Sequence, residues 1–235
     1  MALFAAICVF MVIYELDQFL RIAMSNIWLN GAIIGATIFG VGLCFVEAMR
    51  LIPEYRWLRK FFNDKKTGTT SGDVPPAVLR PMAVVLMKMR AQRRNLLSPQ
   101  IMTDLADMAR IRFDDSREAI KYISSLLIFM GLFGTFWGLI NTVGGFSDMI
   151  SGLDFGGADA LESVRDGIAK PLSGISSAFS ASLLGLGGSL IVGFLGMQVQ
   201  SAQNQLLREA EDKMSDNSRL LAYLGVRAEI VEKTK

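Results

Sequence analysis

The chain has 235 residues, 51% of them hydrophobic, with a formal net charge of +2, two cysteines and no histidine. The missing histidine excludes imidazole metal sites, Ser-His-Asp hydrolysis and imidazole proton relays, and two cysteines alone cannot build a structural zinc site. So small a net charge gives no global field for nucleic acid.

The mean hydropathy of +0.39 is high for a soluble domain, and the excess is concentrated in a few long runs. Segments of about 18 or more nearly uncharged residues read as transmembrane helices. Residues 27–46, 123–146 and 172–199 reach that length. Residues 1–14 are shorter and lack the basic flank of a cleavable signal peptide. They read as a first helix that continues past Glu15 toward Leu20 or starts upstream, a signal sequence being the alternative. Cys8 and Cys44 lie within apolar runs, as buried thiols with no disulfide role. The expected fold class is all-α: a polytopic inner-membrane protein with four transmembrane helices and a helical cytoplasmic region.

Charge sets the orientation. Fifteen of the 24 basic residues lie between Glu47 and Lys121, and six more follow the last span. The other two connections hold three: Arg21, Arg165 and Lys170. Lys and Arg excess marks the cytoplasmic side, so both termini are expected in the cytoplasm. The chain divides into the first two spans (1–46), a cytoplasmic helical region (47–122), the third and fourth spans with a short periplasmic loop (123–199), and a cytoplasmic C-terminal helix (200–235). Within the second of these, Pro53 follows a span and "NDKKTGTTSGD" (63–73) reads as a polar connector. Ser98 is a candidate N-cap with Pro99 at the first helical position. Ile101, Leu105, Met108 and Ile111 keep helical spacing, as if this helix ran straight into the third span. In the tail Leu206, Leu207, Ala210 and Met214 share one side.

The third span carries "GLFGTFWGLINTVGGF" (131–146), unusually rich in small and polar residues. At about 100° per residue, Gly131, Gly134, Gly138, Asn141, Thr142 and Gly145 share one arc with Thr135, opposite Leu132, Phe133, Phe136, Leu139, Ile140, Val143 and Phe146. The fourth span repeats the design around Ser182, with Gly174, Ala178, Ala181, Gly185, Gly188, Ser189, Gly193 and Gly196. Pro171 reads as its first-turn residue. Helix association in lipid depends on close backbone packing, which small residues permit. Packing accounts for Gly131, Gly134, Gly138, Gly185 and Gly188, and for the Gly31-x-x-x-Gly35 pair. Thr135, Asn141, Thr142, Ser182 and Ser189 on the same faces suggest a surface meeting water, an ion or a polar partner group. Neither span contains Asp, Glu, Lys or Arg, and a proton route normally needs an ionisable relay. This chain alone is an incomplete proton carrier: it transports nothing, or a second protein inserts the carboxylate.

"LLIFMGLFGTFWGLINTV" resembles the third-span signature of the MotA/TolQ/ExbB proton-channel subunits, and "ISSAFSASLLGLGGSLIVGFL" resembles their last span. Ser182 stands where most members have threonine, which keeps the hydroxyl and drops a methyl. The resemblance implies a homo-oligomeric ring, usually a pentamer, around the single helices of two B-type partner chains, each with a membrane-embedded aspartate. Thr135 would line the pore facing that aspartate, with Ser182 on the adjacent helix, and proton flow would drive ring against core. No cofactor or metal is implied.

Glu15 and Asp17 are candidates for a periplasmic entrance or a solvated helix end. Asp148, Asp154, Asp159, Glu162 and Asp166 decorate the outer connection. Glu47 and Arg50 form an (i, i+3) pair. Arg90, Arg93 and Arg94 suit anionic headgroups or a cytoplasmic partner. No nucleophile–base pair or phosphate loop supports an enzyme. The competing expectation to an ion-driven motor subunit is a membrane scaffold that keeps the glycine packing and conducts nothing.

Overall fold

The computed structural model describes residues 10, 13–14, 16–63, 78–80, 82–85, 99–152 and 160–233. Among these residues there is no strand. Four helices have their bounds among the described residues: α1 (Leu16–Met24), α2 (Ile27–Asn63), α3 (Pro99–Gly152) and α4 (Ala160–Lys233). Three of them are long and apolar enough to cross a membrane, within Ile27–Phe61, Thr103–Ser151 and Gly167–Ser215. Most of the expected first span, with Cys8 and Glu15, falls outside the described residues, as do the 64–73 part of the connector, Ser98 and the Arg90, Arg93, Arg94 cluster.

The helices run longer than the apolar segments that define them. Pro99 is the first residue of α3, which continues unbroken through the third apolar run. Helix α2 passes Pro53 and ends at Asn63. The sequence boundaries at 46/47, 122/123 and 199/200 therefore lie inside continuous helices. Pro171 is a correction: α4 starts at Ala160, so this proline is interior and not a first-turn residue. A proline removes one N–H and crowds the carbonyl four residues back. Here that residue is Gly167, a position close enough to α3 that an added Cβ would stand 2.6 Å from Met149 Cγ. Asp148 accordingly belongs to α3, and Glu162 and Asp166 to α4, while Asp154 and Asp159 lie outside the described residues.

By its contacts the chain divides into two compact units, Met1–Cys44 with Ile120–Gly196, and Phe45–Ala119 with Met197–Lys235. The first holds α1 and the apolar stretches of α2, α3 and α4. A short turn at Ser25–Asn26 joins α1 to α2. It is fixed by the Ser25 N–H and hydroxyl, both donating to Ile22 O, and by Asn26 Oδ1, which accepts from Leu29 N at the start of α2. The side-chain amide of Asn30, fully buried, donates back to Ile22 O at 2.8 Å and to Ser25 Oγ at 3.1 Å.

The second unit has its own apolar core. Trp57 and Leu58 of α2, Leu79, Met82 and Ala83 of the intervening segment, Leu105, Ala109 and Phe113 of α3, and Leu206, Leu207, Ala210 and Met214 of α4 are all buried together. Met108 and Ile111 share the helical spacing but are exposed. The buried line instead uses Leu105, Ala106, Ala109 and Phe113, whose alanines leave room for neighbouring elements. Among the described residues Glu54 is the one carboxylate buried in this unit, 2% exposed. Its two oxygens accept from Val78 N at 2.8 Å and Leu79 N at 3.1 Å, tying the turn at 78–79 to α2. Removing both acceptors strands two backbone donors, so Glu54→Leu is expected to lower stability by about 2–3 kcal/mol. Glu54→Gln, which keeps one oxygen, is expected to lose less, and thermal unfolding of the detergent-solubilised chain checks the order. Glu47 and Arg50 form their exposed (i, i+3) pair at 2.9 Å.

Candidate functional site

The site begins with glycines. An added Cβ at Gly185 would stand 2.6 Å from Leu127 O and 2.7 Å from Gly131 Cα, so the backbones of α3 and α4 touch there with nothing between. The same close approach recurs along the pair: Gly131 meets Gly185 and Ala181, Gly134 meets Ala181, and Gly138 meets Ala178. Further along, Gly174 meets Thr142 and Gly145 meets Pro171. Residue numbers rise on one helix as they fall on the other, so the two helices are antiparallel. Helix α2 lies against this pair, antiparallel to α3 through the Leu29–Gly134 and Gly40–Ile123 contacts. It is parallel to α4 through Thr37–Gly188 and Gly40–Val192. Gly131, Gly134, Gly138, Gly185 and Gly188 each have a neighbouring helix where a side chain would stand. Gly31 and Gly35, in contrast, have nothing within 4 Å.

The polar residues divide into three groups. Thr142 and Ser189 are buried in the seam, 6% and 8% exposed. Thr142 Oγ1 donates to Gly138 O at 2.8 Å and reaches Pro171 O at 3.3 Å across the seam. Ser189 Oγ lies 2.9 Å from Ser124 Oγ, which also donates to Ser189 O at 3.2 Å. Both residues thus link α3 to α4 within one chain.

Thr135 and Ser182 form the second group. Gly134, just before Thr135, meets Ala181, just before Ser182, so the two residues stand at one level on adjacent helices. Helix α2 touches α3 at Gly134 and Ile123, and α4 at Gly188 and Val192. A step of about 100° from Gly134 carries Thr135 across the seam-facing line to its other side. On α4, Ser182 likewise lies across the Ala178–Gly185 line from Gly188. Both residues therefore flank the edge of the α3–α4 seam that faces away from α2, and both are only partly buried. Thr135 Oγ1 donates to Leu132 O at 2.6 Å. Asn141 makes the third group alone. It is exposed, and helical arithmetic puts it on the α2 side of the seam.

Around this edge the chain presents apolar surface: Leu132, Phe136, Leu139 and Phe146 on α3, and Phe179, Leu183, Leu186 and Leu190 on α4, are all exposed. No group of three or more His, Cys, Asp and Glu capable of holding a metal exists among the described residues. Cys44 is buried, its thiol 3.9 Å from Val192 O.

Three polar residues of this unit escaped the sequence reading. Ser124 is the partner of Ser189, Thr37 packs on Gly188 and donates to Ile33 O at 2.8 Å, and Asn30 fixes the α1–α2 turn while its Oδ1 has no hydrogen-bond partner. Asn30 carried a signal, being the one amide in the 27–46 run. Ser124 carried none beyond its spacing from Gly131.

Apolar helices with glycine-lined seams define a multi-pass membrane protein whose third and fourth apolar stretches form a tight antiparallel pair. Residues 83–212, more than half of the chain, match the MotA/TolQ/ExbB proton channel family, and the chain belongs to it. No curated protein and no solved structure matches the chain. Membership makes it an ion-channel subunit of a motor-like complex, in a family of transport type and not an enzyme class.

Proposed function

We propose that this chain is the ring-forming subunit of an ion-motive-force-driven motor in a bacterial inner membrane, with both termini in the cytoplasm. Five copies surround the single transmembrane helices of two partner chains, each of which inserts an aspartate. Proton or sodium flow past that aspartate turns or rocks the ring against the core. What supports this reading is the Gly134–Ala181 contact, which sets Thr135 and Ser182 at one level of adjacent helices, on the edge of the α3–α4 seam away from α2. A hydroxyl pair at such an edge is available to a group outside the chain. Thr142 and Ser189, bonded within the seam, hold the two helices in register beside it. Residues 27–46, 123–146 and 172–196 contain no Asp, Glu, Lys or Arg, which leaves the ionisable relay to a partner. The excess of Lys and Arg in 47–122 and after 199 supports the orientation.

The test is ion flux in vesicles that hold the full chain with the single-span, aspartate-bearing chain from its neighbouring reading frame. Thr135→Ala is expected to cut the flux at least about tenfold, the loss of one hydrogen bond of about 1.4 kcal/mol to the transported state. Unchanged flux would sink the pore assignment of Thr135, and a wild-type pair that carries no flux would leave a non-conducting scaffold.

A further inference from the structure

A threonine hydroxyl has one hydrogen and two lone pairs. At Thr135 the hydrogen is committed to Leu132 O at 2.6 Å. A carbonyl can only accept, so the direction of that bond is fixed. Thr135 therefore offers lone pairs alone to whatever stands at the open edge. Thr37 and Thr142 spend their hydrogens in the same way, on Ile33 O and Gly138 O, but the first faces Gly188 and the second is buried in the seam. Ser182 differs. Among the described residues its hydroxyl has no hydrogen-bond partner, so its hydrogen remains available.

Resting on the ion-conducting reading above, we propose that Thr135 is the group that recognises the protonation state of a carboxyl inserted at this edge: Thr135 Oγ1 accepts the O–H of the neutral acid, while Ser182 donates to the other oxygen in either state. An ionised carboxylate has no hydrogen to give and sets negative oxygens against the lone pairs of Thr135. Away from bulk water that mismatch is felt almost in full, because the effective dielectric is low. Thr135 then favours the neutral acid and Ser182 the ionised one, since a donor binds a carboxylate more strongly than a neutral oxygen. The two hydroxyls bias transport in opposite directions.

Among the described side chains of the helices packed here, few other groups are titratable. Cys44 on α2 faces Val192. Asp17 and Arg21 on α1, and Lys121, Tyr122 and Asp148 on α3, are exposed and lie at or beyond the limits of the uncharged stretches.

The experiment measures ion flux against pH in vesicles containing the full chain and its single-span partner. Thr135→Ser, which retains the acceptor, is expected to keep the wild-type midpoint. Thr135→Val removes the acceptor at nearly constant shape and is expected to move the midpoint down by about one pH unit. Thr135→Asn, which brings N–H donors suited to a carboxylate, moves it down further. Ser182→Ala moves it up. If Thr135→Val and Thr135→Asn lower the flux with the midpoint unmoved, or if Thr135→Val and Ser182→Ala shift it in the same direction, the recognition proposal falls and the conducting reading stands. Should every variant, Thr135→Ala included, conduct like the wild type, the pore assignment of Thr135 and Ser182 falls with the recognition proposal, and a wild-type pair that carries no flux overturns the conducting reading itself. Size-exclusion profiles separate assembly failure from these outcomes, and Ser182→Ala supplies the decisive sign if a Thr135 variant fails to assemble.

Discussion

Alanine at Gly185 is expected to destabilise the chain by about 2–3 kcal/mol, whereas alanine two residues later, at Gly187, is expected to be neutral or stabilising by up to about 1 kcal/mol. The contrast comes from what the new methyl meets. At Gly185 it would stand 2.6 Å from Leu127 O, 2.7 Å from Gly131 Cα and 2.9 Å from Gly131 N, all backbone atoms that no rotamer change can move. Relief requires α3 and α4 to separate, which loosens the contacts at Gly131–Ala181 and Gly134–Ala181 and lengthens the Thr142 bond to Pro171. At Gly187 nothing lies within 4 Å, so only the helix propensity gained on replacing glycine is felt. Gly144 is equally open and serves as a second control. Thermal unfolding of the detergent-solubilised chain separates the cases, and equal stability of Gly185→Ala and Gly187→Ala would mean that the helices do not approach as described. A leucine at Gly185 extends the same clash and is expected to abolish the folded pair. Ion flux should follow the separation, since Thr135 and Ser182 are brought to one level by this seam.

The glycine pattern was legible because size is written directly in the sequence: the arcs through Gly131, Gly138, Gly174 and Gly185 needed only the helical period. The helical run from Pro99 into the third apolar segment was legible for the same reason, with no glycine–proline punctuation to end it. Pro171 misled because a proline with polar sequence before it usually marks a start. Here the antiparallel partner helix continues to Gly152, and residues before the proline extend α4 beside it, with Met149 seated at Gly167. A single-helix projection also grouped five polar residues that the packed structure divides. A helical wheel gives direction around one axis but does not say where the neighbours stand. Once α2 is placed against Gly134 and Gly188, Thr135 and Ser182 fall on one edge, Asn141 on the other, and Thr142 and Ser189 inside. Partners far apart in sequence, such as Ser124 with Ser189 or Glu54 with the turn at 78–79, have no local signature at all.

The same limit hid a charged group in the second unit, and its removal is the other large expected effect. Arg117 is largely buried, with its side chain 15% exposed. Its guanidinium donates from Nε to Gln203 Oε1 at 2.8 Å, from Nη2 to Asn204 Oδ1 at 2.8 Å, and from Nη1 to Asp114 Oδ1 at 3.2 Å. Gln203 is fully buried and passes the network on, Nε2 donating to Ser116 Oγ at 3.4 Å. Replacing Arg117 by methionine keeps the apolar stem but leaves the Gln203 oxygen buried without a donor, a change expected to cost about 2–3 kcal/mol. Gln203→Leu strands the Arg117 Nε–H and is expected to cost about 2 kcal/mol. The double variant removes both halves of the bond and leaves neither orphaned, so its cost should fall short of the sum by about 1–2 kcal/mol. Urea unfolding of the three variants against the wild type gives the coupling directly, and strict additivity would show that the bond contributes nothing. Arg117→Lys is expected to recover only part of the stability. Gln203 and Asn204 are successive residues, turned about 100° apart on α4, and a planar fork with separated N–H groups serves both at once, where an ammonium acts as a single point of charge.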